Sequence, residues 1–94
     1  MGTKTKEPDA PLSPRARMER ACWRSRRGLL ELELLLTPFA RAHFEALSPV
    51  LMEDYERLLG YDDLDVHAWL LNRAEAPDEV REIVALIRRS LSIG

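Results

Sequence analysis

The sequence predicts an all-α protein, a small five-helix bundle behind a disordered N-terminal tail, and three observations predict it. Apolar residues recur at helical spacing in five separate segments, and no run shows the sustained two-residue alternation of a half-buried strand. Helix-start signals stand at Ser13-Pro14, Ser48-Pro49, Asp62-Asp63 and Pro77-Asp78. The connections between the segments read as two to five residues, the length found between neighbouring helices of a compact bundle.

Residues 1 to 13 are polar, small and proline-rich, with no apolar period to dock them on a core, and are expected to form the tail. Residues 14 to 94 are then a single helical domain. Ser13 caps the first helix and Pro14 occupies its first turn, where a missing backbone donor costs nothing; the helix is expected to run to about Arg26. Gly28 interrupts the chain, where the absent β-carbon permits a left-handed cap or a close backbone approach. The second helix, Leu29 to about Ala46, is apolar on nearly every side and is expected to be the most buried element, with Pro38 kinking it or shifting its start. The third helix carries Leu51, Tyr55, Leu58 and Leu59 and stops at Gly60, a position suited to a left-handed cap. Asp62 or Asp63 caps the fourth, whose inward stripe is Val66, Trp69 and Leu70. The fifth, from Pro77-Asp78, has the clearest 3.6-residue pattern: Val80, Ile83, Val84, Ile87 and Leu91, with Arg88 and Arg89 at its negative end.

At 94 residues and 10.8 kDa the chain has room for one core, which excludes a large enzyme with its own cofactor domain. Hydrophobic residues at 46% supply the apolar surface that folding requires. The net charge of -2 conceals an asymmetry: eight Lys/Arg face three acids through Gly28, net +5, and six Arg face thirteen acids after it, net -7. A lone Cys22 rules out an intrachain disulfide and points to a reducing compartment. Leu29 to Ala40, the most apolar stretch, is broken by Glu31, Glu33 and Pro38 and falls short of the ~20 residues needed to span a bilayer. The N-terminus shows neither the apolar segment of a signal peptide nor the acid-poor character of a transit peptide, so a cytoplasmic location is expected.

Metal and catalytic constellations fall short. His43 and His67 sit on different helices without further ligands at metal spacing, and no glycine-rich phosphate loop exists. Cys22 reads as a small core residue rather than a nucleophile, despite Arg20 and Arg24 nearby. Arg17, Arg20, Arg24 and Arg27 fall three or four apart and share a face. Such a face can neutralise phosphates, but a pI near 5.7 favours a solvated surface or an acidic protein partner over nucleic acid. Arg27-Gly28-Leu29-Leu30-Glu31, followed by Leu32-Glu33, is the remaining constellation. If the helices join smoothly, Arg27 and Glu31 form an exposed pair worth a few tenths of a kcal/mol. Glu31 and Glu33 nonetheless stand among leucines, where an acid must face water or a partner.

Arg-Gly-x-x-Glu at a helix junction resembles the signature of the SdhE family, succinate dehydrogenase assembly factors that promote flavin attachment. The resemblance extends through the arginine-rich approach, the closing Glu-Leu-Glu, Phe39 and Phe44, the Tyr55 to Leu59 segment, Asp62-Asp63-Leu64-Asp65, Trp69-Leu70 and the last amphipathic helix, roughly residues 14 to 91. Leu29-Leu30 departs from it, since relatives often carry Met and a polar or basic residue there. The resemblance implies a monomeric, chaperone-like factor, not an enzyme, that docks on the flavoprotein subunit of succinate dehydrogenase, with fumarate reductase as a second candidate. It implies that the FAD belongs to the partner, with no cofactor held stably by this chain, and that neither nucleic acid nor membrane is bound. The partner-binding set it implies is Arg24, Arg27, Gly28, Glu31 and Glu33. The same family carries an antitoxin label, so a toxin-neutralising module and a nucleic-acid-binding helical module stay open as alternatives.

Overall fold

The computed structural model describes residues 13–91; the expected tail lies, apart from Ser13, outside the described residues. Five α-helices follow in order, α1 (Pro14–Arg24), α2 (Leu30–His43), α3 (Pro49–Leu58), α4 (Asp63–Leu70) and α5 (Asp78–Ser90), and there is no strand among the described residues. The caps foreseen at Ser13, Ser48 and Asp62 are made: their side-chain oxygens accept from the amides of Ala16, Leu51 and Leu64. Asp62 is therefore the cap of α4, which leaves Asp63 free for another role.

Boundaries differ from expectation in three places. The first helix ends at Arg24, not Arg26: beyond the cap at Ser25 the ladder tightens, with the Arg26 amide bonded to the Trp23 carbonyl, and the buried Ser25 hydroxyl bonds the Ala21 carbonyl 2.7 Å away. α2 starts at Leu30, one residue after the expected Leu29, runs through Pro38 and stops at His43, and Phe44–Ala46 tighten into one 3-10 turn. The link between α4 and α5 is also longer than five residues, running from Leu71 to Pro77. It opens with Asn72 at φ 61°, and the amides of Arg73 and Asn72 bond to the carbonyls of Ala68 and Trp69. That pattern is a left-handed Schellman ending, placed at an asparagine. Neither Gly28 nor Gly60 has a left-handed φ, so the two glycine caps read from the sequence do not form.

α2 is the hub, touching α1, α4 and α5, while α5 also packs on α3 and α4. Leu32, Leu36, Phe39 and Ala40 of α2 meet Met18, Ala21 and Cys22 of α1, and the stripe Val80, Ile83, Val84 and Ile87 of α5 completes the core with Tyr55, Leu58, Val66, Trp69 and Leu70. α2 is not buried all round, however. Leu30 and Leu34 are 63% and 62% exposed, one turn apart on the side that no other helix covers.

A buried polar chain ties α1, α2 and α3 together. Ser25 Oγ lies 2.6 Å from Tyr55 Oη, which in turn lies 3.2 Å from the Leu36 carbonyl. Burial pushes the Tyr55 phenol well above its ordinary range, outweighing the opposing hydrogen bond with Ser25, so the group stays protonated.

Candidate functional site

The five-residue connection between α1 and α2 is held from below by Arg27. Its side chain is only 11% exposed. Nε donates to Asp63 Oδ1 at 2.7 Å, Nη1 to the Leu59 carbonyl at 2.7 Å, and Nη2 to the Tyr61 carbonyl at 2.9 Å. The Leu59 carbonyl belongs to the C-terminal end of α3, which lacks a glycine cap. A guanidinium there satisfies an orphan acceptor and meets the negative end of the helix dipole. Arg27 thus does not form the exposed pair with Glu31 that a smooth helix junction would produce, because Ser25 to Leu29 break the helix and turn the two side chains to different neighbours.

Glu31 is 76% exposed, and its Oε1 lies 3.7 Å from Nε2 of the largely buried His67. Both Glu31 and Glu33 are in the first turn of α2, where carboxylates complement the positive end of the helix. Glu33, half-buried, also accepts from the Arg27 amide at 3.3 Å. Gly28 is exposed, directly above the Arg27–Asp63 pair. Gly28, Glu31 and Glu33 therefore share one end of the molecule, bordered by the exposed Leu30 and Leu34 and by a groove that contains Trp23 and Arg26. The Arg26 guanidinium covers the Trp23 ring, 4.9 Å from its centroid.

The arginine face is largely engaged within the molecule. Arg17 binds Glu56 through two donors, at 2.7 and 2.9 Å, and this bond holds the Glu56 carboxyl below its ordinary range. Arg24, though exposed, reaches the Glu56 carbonyl at 3.5 Å. The basic first segment and the acidic remainder thus meet each other along the edge between α1 and α3, which leaves little of that face to track a phosphate backbone.

Asp63 and His67 are the residues that sequence reasoning missed. They stand four apart on one face of α4, but nothing in that spacing points to residues 27 and 31. Cys22 is buried beside Met18, and burial pushes its thiol above the usual value, which opposes the thiolate a nucleophile needs. Among the described residues no group of three or more His, Cys, Asp or Glu is placed to hold a metal ion, and no helix is long and apolar enough to cross a membrane.

Known proteins resemble the chain over most of its length. The FAD assembly factor SdhE of Pseudomonas syringae pv. tomato is 42% identical over 71 residues, 74% of this chain and 84% of that protein. The FAD assembly factor SdhE of Pasteurella multocida is 39% identical over 72 residues, covering 76% and 86% of the two chains. That of Legionella pneumophila is 38% identical over 69 residues, 73% and 87%. The family model described as "Flavinator of succinate dehydrogenase" matches residues 19–91, from within α1 to the end of α5. The chain belongs to this family of flavinators of succinate dehydrogenase.

Proposed function

We propose that this protein binds the flavoprotein subunit of succinate dehydrogenase and promotes covalent attachment of FAD to it, without an active site of its own. The observation that carries the reading is the exposed end of the molecule at the α1–α2 junction, where Gly28 and the mostly exposed Glu31 carboxylate stand beside uncovered Leu30 and Leu34. An apolar patch with a charged acceptor beside it is suited to a protein surface that can desolvate both. The bond between a histidine of the flavoprotein and the flavin 8α carbon is then formed by the partner's own groups. Docking holds nucleophile and electrophile in register, which in the best cases removes roughly 7 to 11 kcal/mol of barrier. The FAD stays with the partner, this chain acts as a monomer in the cytoplasm, and fumarate reductase is a second client by the same chemistry.

The test is covalent flavin on the flavoprotein subunit, read as fluorescence after denaturation, in cells that lack the wild-type factor and carry a variant at equal soluble level. Gly28→Arg and Glu31→Ala are each expected to keep the helical fold and to lower flavinylation, Gly28→Arg more severely, since a long side chain there blocks backbone approach. Wild-type flavinylation from both would reject the α1–α2 junction as the docking site.

A further inference from the structure

α4 meets the exposed junction with two side chains on one face. Asp63 and His67 are one helical turn apart, so their β-carbons stand at a fixed spacing. Asp63 bonds Arg27 at 2.7 Å, whereas His67 Nε2 lies 3.7 Å from Glu31 Oε1, a contact beyond hydrogen-bond distance. Arg27 and Glu31 share no helix, because Arg27 precedes the Leu29 cap of α2. α4 therefore touches both side chains, beside the junction that links them and the bond from the Arg27 amide to Glu33.

Arg27 commits four of its five N–H groups inward. Of the five N–H groups of a guanidinium, Nε is given to Asp63, Nη1 to the Leu59 and Arg24 carbonyls, and Nη2 to the Tyr61 carbonyl. Glu31 is in the opposite condition. Its contact with His67 is long at 3.7 Å, and the carboxylate is mostly in water, so it is oriented yet still available to an incoming donor.

We propose that Asp63 and His67 are positioning residues, which clamp Arg27 and Glu31 so that Gly28 and the Glu31 carboxylate are presented together to the flavoprotein. This inference rests on the docking reading above. Asp63 acts through Arg27, fixing the height of the Gly28 backbone, and His67 acts through Glu31, restricting where its carboxylate points. Neither needs to touch the partner.

The experiment uses the full chain with the purified flavoprotein subunit, and it reads the dissociation constant by calorimetry, the amide resonances of Gly28 and Glu31 in the free protein, and the urea midpoint. Asp63→Ala is expected to shift both amides and weaken binding about tenfold, as misplaced contacts do. His67→Gln leaves the Arg27 anchor in place; it is expected to shift Glu31 alone and weaken binding about threefold, as loss of one modest contact does. It also decides the matter should Asp63→Ala unfold. Combined with Glu31→Ala, His67→Gln should add nothing further, because its effect passes through that carboxylate. Additive losses, or unmoved amides with weakened binding, would mean that α4 touches the partner directly and would overturn the positioning role. Wild-type affinity in both α4 variants, with Glu31→Ala impaired, overturns the inference alone. Wild-type affinity in Glu31→Ala overturns this inference, and it overturns the docking reading as well when Gly28→Arg also binds as wild type.

Discussion

Gly28 lies against Asp63: a β-carbon added at position 28 would stand 3.8 Å from Asp63 Oδ2, an ordinary van der Waals contact. The position therefore tolerates a methyl group, and its backbone has no left-handed φ that would demand glycine. Gly28→Ala is expected to change stability by less than about 1 kcal/mol in urea unfolding. A guanidinium at the same place can reach Asp63 and compete with Arg27 for it. In Gly28→Arg the Nε–H resonance of Arg27 should move away from its bonded position, while in Gly28→Ala it stays. An unmoved Arg27 resonance in Gly28→Arg would show that the added side chain turns to solvent.

The chain of Ser25, Tyr55 and the Leu36 carbonyl has two hydroxyl protons for three contacts, since Ser25 also reaches the Ala21 carbonyl. Each hydroxyl keeps a fallback acceptor when the other is removed. Ser25→Ala and Tyr55→Phe are thus expected to cost about 1 kcal/mol each, the net worth of a buried hydrogen bond. Two bonds in the wild type, one in each single variant and none in the double make the double variant cost about the sum, within ~0.5 kcal/mol. A larger coupling in denaturant unfolding would show that the 2.6 Å Ser25–Tyr55 contact contributes beyond the two protons.

Leu70 is fully buried on α4, which packs on both α2 and α5. Leu70→Ala is expected to cost roughly 2 to 5 kcal/mol, the transfer loss plus the cavity left behind. A cost below about 1 kcal/mol, where exposed positions fall, would mean that α4 is not seated in the core.

Local rules made much of the architecture legible. Ser13, Ser48 and Asp62 act through hydrogen bonds to amides two or three residues away, and α5 carries its burial pattern in its own period. What stayed hidden depends on contacts between distant segments. The C-terminal end of α3 is met by Arg27 from across the bundle instead of by Gly60, and no spacing rule links residue 27 to residues 59, 61 and 63. For the same reason the Arg27–Glu31 spacing suggested a pair that does not exist. Arg27, Gly28, Glu31 and Glu33 could be singled out as a group by their motif, whereas the partners that hold them, Asp63 and His67, needed the fold.

The Arg17–Glu56 bond leads to a pH dependence with a definite sign. The hydrogen bond from Arg17 holds the Glu56 carboxyl in the folded state below its ordinary range, with further help from the charges of Arg17, Arg20 and Arg24. A carboxyl with a depressed folded pKa binds fewer protons folded than unfolded. Its contribution to stability is therefore complete above the unfolded value and is lost as pH falls through the folded one. The comparison that isolates it is wild type against Glu56→Gln, which keeps the shape and removes the titration. Urea midpoints should differ most near neutral pH, and the difference should shrink below about pH 4. A constant difference would mean that Glu56 is not held charged by Arg17. Because Arg24 also reaches the Glu56 carbonyl, and Arg27 anchors a little further along the same edge, protonating Glu56 loosens α1 from α3 beside the junction that carries Gly28. The Gly28 amide resonance should consequently follow the Glu56 titration in the wild type and be flat over that range in Glu56→Gln.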